Sequence, residues 1–243
     1  MSDQASTIMV NTLEPQSGTT LTVGKTGQNL VVNADSLKAN VVKDAGGNAI
    51  FTSDGSGTLS GVNSAFGSAV VLIQSQTASN SASISFTSGI DSTYEEYLFK
   101  FVNINPATNE TEFQFQVNAT SQSGYNEEIT SSAMKARYTE NGSTAVWEYA
   151  TDMDQNQGTA YQWMSEDTGN EADASYSGQL HMYNLGSTSK VKNFIVRGQD
   201  DLGDQAKDIS VAGFINVTAA IDDVQFKMSS GNFDGTIKMY GIK

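Results

Sequence analysis

The chain has 243 residues, of which 27 are acidic and 13 basic, giving a formal net charge of −14, and 38% are hydrophobic. A negative charge of this size repels phosphate backbones and argues against binding to nucleic acid. The absence of cysteine excludes disulfides and thiolate chemistry, so we expect folding in a reducing cytoplasm. The sequence contains no run of 18 consecutive apolar residues, and we therefore predict no membrane-spanning segment.

Residues 1–66 differ from the rest of the chain in having few large side chains. Their only aromatic residues are Phe51 and Phe66, and their apolar residues come in short bursts that predict short strands, at 21–23, 30–32, 41–42 and 49–51. Such a segment buries too little apolar surface to offset a backbone ordering cost of about 1–2 kcal/mol per residue. We therefore expect it to be held by sister subunits of a homo-oligomer or by a larger assembly. A flexible, partly disordered arm is the alternative.

The Gly- and Ser-rich stretch 55–61 predicts a hinge, so we place a domain boundary near Phe66 and a second domain at 67–243. In the second domain apolar and polar residues alternate, as in Phe113, Phe115 and Val117. About a dozen short strands are predicted, at 70–74, 83–87, 96–104, 112–118, 134–139, 145–150, 160–164, 178–185, 191–197, 210–218, 224–228 and 237–239. This pattern predicts an all-β, antiparallel sandwich of the jelly-roll kind, preceded by a short β-rich segment.

One eight-residue frame occurs twice, at 178–185 and 235–242. Both copies read Gly-x-[Leu/Ile]-[His/Lys]-Met-Tyr-x-[Leu/Ile]. In each, the third and fifth positions should face one side of a strand, and Tyr183 or Tyr240 the other. The repeat predicts two strands with equivalent roles, related by the approximate symmetry of a sandwich.

Catalytic patterns are scarce in this sequence. The single histidine, His181, falls within a predicted strand, and no Gly-x-Ser-x-Gly motif accompanies it. Adjacent carboxylates at 95–96, 127–128, 166–167 and 222–223 could include a glycosidase pair, but surface acids are the more common explanation. We expect a protein that is not an enzyme.

A calcium site is the one metal site that the sequence suggests. Asp152, Asp154 and Asn156 place oxygen ligands at alternate positions, as a hard cation prefers. The glycine comes one position late for an EF-hand loop, and Trp163 stands where the final Glu would be. A structural calcium ion and a solvated acidic loop therefore both stay open, here and at the acidic stretch 200–204. No other cofactor is expected.

Five aromatic residues with polar neighbours are candidates for contact with a host surface glycan: Tyr125, Trp147, Tyr149, Tyr161 and Trp163. Such rings stack on sugars while neighbouring polar groups bind the hydroxyls. The alternative is that they fill the core.

Three stretches of the second domain, 90–106, 178–185 and 229–242, carry a resemblance to a known group of proteins. They resemble a β-sandwich module of tail fibre and related virion proteins of marine tailed bacteriophages, notably cyanophages. The third stretch is the most specific, through its Ser-Gly-Asn-Phe and Gly-Thr-Ile-Lys-Met-Tyr-Gly. The resemblance covers roughly 80–243. Residues 46–58 are similar to shaft or attachment segments of such proteins.

This resemblance implies a structural virion protein, assembled in the host cytoplasm and trimeric. Residues 1–66 would attach to another virion protein, and the sandwich would face outward, without catalytic residues. We expect a tail fibre-like protein that contacts the host cell surface. A capsid decoration protein (cement or head fibre) and a polysaccharide-degrading tail spike accessory are the alternatives, since many fibres are far longer than this chain.

Overall fold

The computed structural model describes residues 41–44, 46–53, 55–56, 59–60 and 69–243. The chain divides by its internal contacts into two units, residues 1–66 and 67–243. None of the described residues is helical, and every pair of strands among them is antiparallel. The prediction of an all-β antiparallel fold is therefore confirmed. It follows that no helix in this part of the chain could cross a membrane.

The described part of the first unit is a three-stranded sheet in the order β1 (Val41–Lys43), β2 (Ala49–Ser53), β3 (Leu59–Ser60). The turn between β1 and β2 is closed by Asp44, whose Oδ1 accepts the backbone N–H of Asn48 at 2.8 Å. Two of the predicted short strands, at 41–42 and 49–51, are thus confirmed. The other two, at 21–23 and 30–32, lie outside the described residues. The predicted hinge at 55–61 contributes β3, so it is not wholly a linker.

The larger sheet of the second unit has nine strands. Across the sheet the strands follow in the order β10 (Asn156–Gly158), β8 (Ile129–Thr139), β14 (Gln205–Ile215), β13 (Lys192–Asp201), β12 (Tyr176–Tyr183), β6 (Glu96–Pro106), β16 (Phe233–Ile242) and β4 (Val70–Ser81). The ninth strand, β9 (Ala145–Tyr149), pairs with β8 beside β10.

The smaller sheet has four strands, in the order β11 (Gln162–Trp163), β7 (Phe113–Ala119), β15 (Ile221–Met228), β5 (Ile84–Phe86). Its inner side chains and those of the larger sheet form one buried hydrophobic cluster. Phe226 of β15 lies at the centre, with its ring 5.2 Å from the rings of both Phe99 and Phe101 of β6. Two sheets that share one core make the second unit a β-sandwich.

The two copies of the repeated frame flank the same strand. β12 and β16 pair with β6 on its opposite sides. Leu180, Met182, Ile237 and Met239 are fully buried, whereas Tyr183 and Tyr240 are only partly buried. The predicted facing is confirmed, but the two strands are neighbours of β6 in a single sheet and do not come from opposite sheets.

Candidate functional site

The open face of the larger sheet is the side that points away from the smaller sheet. It carries all the exposed large hydrophobic side chains of the described second unit, although these residues come from five different strands. They are Val70, Leu72, Val102, Tyr138, Trp147, Tyr149 and Ile195. Exposed apolar side chains gathered on one face of a protein typically mark a contact surface.

Three of these residues form an aromatic cluster at one edge of the open face: Tyr138 of β8 with Trp147 and Tyr149 of β9. Trp147 is 75% exposed and lies opposite Ala136, while Tyr138 lies opposite Ala145. Because each large ring faces an alanine across the strand pair, neither is covered by its cross-strand neighbour. The Tyr149 hydroxyl donates to Asp154 Oδ2 at 2.7 Å, and this bond raises the pKa of Tyr149.

A groove runs across the open face beside this cluster. It consists of three adjoining depressions of about 460, 240 and 230 Å³. Gln199 lines all three, Asp208 lines the two larger ones, and Tyr138 and Ala206 line the two smaller ones. Outward side chains of five strands line it, including Lys100, Val102, Ser177, Gln179, Arg197, Gln199, Ala206, Asp208 and Tyr138. Amide, hydroxyl and charged groups therefore alternate with apolar ones along a shallow, solvent-open surface.

Basic side chains form a row at the end of the groove remote from Trp147. Lys238 of β16 lies directly opposite Lys100 of β6, Lys100 opposite Gln179, and Gln179 opposite Arg197 of β13. Arg197 Nη2 bonds to Asp208 Oδ2, and both side chains are at least half exposed. Lys100 and Lys238 have no acidic partner within the part of the chain that the structure describes.

The five aromatic residues proposed from the sequence do not share one surface. Trp147 and Tyr149 lie on the open face, but Trp163 belongs to β11 of the smaller sheet and packs against the core. Tyr161, two residues before Trp163, has a half-buried ring. The Tyr161 hydroxyl lies 2.5 Å from Gln225 Oε1, and Lys227 Nζ lies 4.4 Å from the centre of the Tyr161 ring. Tyr125 is half-buried in the connection between β7 and β8. Tyr138, which completes the cluster, was not among the predicted residues.

Two of the three residues of the suggested calcium site have a carboxylate oxygen with another partner. Asp152 Oδ2 lies 3.6 Å from Lys135 Nζ, and Asp154 accepts the Tyr149 hydroxyl. Asn156 is an exposed residue of β10. Over the described ranges, no group of three or more His, Asp or Glu side chains could hold a metal ion.

A network of buried charges lies under β8, β13 and β14, where the loop after β11 covers the inner face of the larger sheet. Lys135 forms an ion pair with Glu166, and Lys207 Nζ donates to the Glu166 carbonyl at 2.5 Å. Asp200 Oδ2 accepts the Glu166 backbone N–H at 2.8 Å. The acidic stretch at 200–204 is therefore not simply solvated, because Asp200 is fully buried.

Burial sets the protonation of this network. It raises the pKa of Asp200 to about 7, against the lowering effects of the Glu166 N–H and Lys207. It also raises the pKa of Glu166, despite the hydrogen bond from Lys135. Raised carboxyl pKa values are typical of general acids. Asp200 is 0% and Glu166 only 6% exposed, however, so both carboxyl groups belong to the packing beneath the larger sheet.

A third buried cation, Lys192, is held by carbonyl groups alone. Lys192 Nζ lies 2.7–3.3 Å from four carbonyl oxygens, those of Ser187, Lys190, Val217 and Thr218. The side chain is fully buried, and burial lowers its pKa. Lys192 thereby ties the connection between β12 and β13 to the one between β14 and β15.

The predicted strand histidine is satisfied by a local partner. His181 Nδ1 bonds to Glu96 Oε1 on the neighbouring strand, and its ring stacks on Tyr183 with a centroid separation of 6.4 Å. Both residues of the His181–Glu96 pair are half-buried on the open face. The predicted position of His181 within a strand is therefore confirmed.

Comparison of the chain with protein-family models, with curated proteins and with solved structures found no match. The phage resemblance therefore stays a prediction carried by its motifs.

Proposed function

We propose that the chain is a structural virion protein of tail fibre type, whose open face binds a glycan of the host cell surface. One observation carries this proposal: Trp147, 75% exposed, lies with Tyr138 and Tyr149 beside a shallow groove lined by amide and hydroxyl groups. Flat aromatic rings next to such groups suit sugar rings, which are apolar on their faces and polar at their edges. A solvent-open groove also admits a polymer at any point along its length. In this proposal the chain is a homotrimer that attaches to another virion protein through residues 1–66.

A glycan array probed with the full-length protein tests the proposal. Trp147→Ala should weaken binding at least about tenfold, because truncating a central aromatic contact typically costs about 2 kcal/mol or more. Leu72→Ala is the matched control, since Leu72 is 53% exposed on the same face but does not line the groove. Failure to bind any host polysaccharide, or equal binding by Trp147→Ala and the parent, would rule the proposal out.

A capsid decoration protein is the second candidate, favoured by the apolar end of the same face. There Leu72 and Ile195 are 53% and 45% exposed, on the side of the basic row opposite to the groove. Such side chains suit contact with a neighbouring protein subunit better than contact with a sugar. Copy number per particle separates the two candidates, because a decoration protein is present in hundreds and a fibre in tens.

A further inference from the structure

The basic row on the open face differs from the other opposed basic pair of the described sheet, Lys207 and Arg137, because each member of that pair has a carboxylate partner. Acidic residues outnumber basic ones two to one in the chain, yet Lys100 and Lys238 face each other across adjacent strands, and neither forms an ion pair with a described carboxylate. Directly opposite residues of an antiparallel pair have Cβ atoms about 4.5–5.5 Å apart, and like charges there destabilise the sheet. The fold itself therefore gains nothing from this pair.

Other charges of the face do not neutralise these lysines. The nearest carboxylate along the groove, Asp208, is bonded to Arg197, and Glu96 is bonded to His181. The cross-strand neighbours of the two lysines on their outer sides are Ser75 and Gln179, which are uncharged. Three cationic side chains thus span three strand spacings, or about 14 Å, at the end of a groove.

We propose that the row formed by Lys238, Lys100 and Arg197 binds the acidic groups of an anionic polysaccharide that lies along the groove. This inference rests on the proposed glycan function and names the class of glycan. A carboxylate or sulfate between Lys100 and Lys238 would replace their repulsion by attraction to a shared anion. The aromatic cluster at the other end would stack on sugar rings of the same chain, so charge and stacking act at separate places.

The acidic surface of the protein makes this row a selective element. A net charge of −14 repels a polyanion in general, so only a polymer whose acidic groups reach the row is retained. Binding should weaken with added salt, because exposed charges are screened within about 10 Å at 0.1 M ionic strength.

Dextran sulfate and neutral dextran of equal length test the inference on the full-length protein. We expect dextran sulfate to bind at least about tenfold more tightly than dextran, and Lys100→Gln/Lys238→Gln to remove that difference. The matched control is Lys43→Gln/Lys190→Gln, which changes the net charge equally at two exposed lysines that do not belong to the strands of the larger sheet. Because the Lys100→Gln/Lys238→Gln change relieves repulsion, its midpoint of urea unfolding should be no lower than that of the parent.

Three other results would overturn the inference that the basic row binds an anionic polysaccharide. Equal binding of the two polymers, or equal losses in both double variants, overturns the inference but leaves the proposed glycan function intact. A marked fall in the urea midpoint of Lys100→Gln/Lys238→Gln also overturns it, because the lysines would then support the fold. Trp147→Ala separates the proposed glycan function from the inference that the glycan is anionic. It should weaken binding of both polymers, whereas Lys100→Gln/Lys238→Gln should weaken binding of dextran sulfate only.

Discussion

Replacing Asp200 by Asn should make the protein more stable at neutral and alkaline pH and leave it unchanged near pH 4. The fully buried Asp200 has a folded-state pKa of about 7, compared with 3.8 for an unperturbed aspartate. Between these two values the folded protein holds a proton that the unfolded chain has released. Stability must therefore fall as pH rises through this window and level off above about pH 7.

The size of the effect follows from the same two values. A difference of about three pKa units, at about 1.4 kcal/mol per unit, corresponds to about 4 kcal/mol of lost stability at pH 8. Asparagine keeps the shape of the side chain and an oxygen to accept the Glu166 N–H, without the buried charge. Asp200→Asn should therefore gain up to about this amount over the parent at pH 8.

Urea unfolding followed between about pH 5 and pH 8 gives the required free energies. The titration of Glu166, whose pKa is also raised, occurs in both proteins and cancels in their difference. Asp204→Asn is the control, because Asp204 is exposed and the substitution makes the same change in charge. Parallel stability curves for Asp200→Asn and the parent would refute the reasoning. They would mean that Lys207 and the Glu166 N–H keep Asp200 ionised throughout this pH range.

Two further substitutions test the packing of the second unit. Lys192→Met should destabilise it by at least about 2 kcal/mol, because the buried carbonyls around Nζ would lose their donor. The exposed Lys190→Met is the control in thermal unfolding, and equal melting temperatures would contradict the expectation. Gly198→Ala should cost about 1–3 kcal/mol, because a Cβ there would overlap the buried ring of Tyr176. Gly158→Ala, where a Cβ would meet only the flexible end of Gln155, should be nearly neutral in urea unfolding.

The fold was predictable from sequence wherever inward-facing residues are apolar. In β7, the buried Phe113, Phe115 and Val117 carry the alternation that predicts the strand. The start of β14 was missed, because Lys207 takes an inward position there and Ala206 and Asp208 point outward. A buried lysine reverses the usual pattern, so the alternation becomes visible only from Ile209 onward.

The candidate site was predictable only in part, for a different reason. The spacing of Trp147 and Tyr149 indicates that both rings share one side of a strand, and they do. Spacing does not reveal which sheet a strand joins. Tyr161 and Trp163 have the same two-residue spacing as Trp147 and Tyr149, so the sequence predicted the same role for both pairs. The opposition of Lys100 and Lys238 depends on the pairing of β6 with β16, whose residues lie more than a hundred positions apart in the chain.

The unequal sizes of the two sheets explain how a chain with 38% hydrophobic residues maintains a sandwich. The four-stranded sheet supplies aromatic side chains to the core that it shares with the nine-stranded sheet. Beneath β8 and β14, the loop after β11 closes the inner face instead, through Lys135, Glu166 and Lys207. Buried charges stabilise a fold less than apolar packing does, but they require every partner to be in place. Because β8 and β14 carry this network on one side and the groove on the other, the positions of Tyr138 and Asp208 depend on those ion pairs.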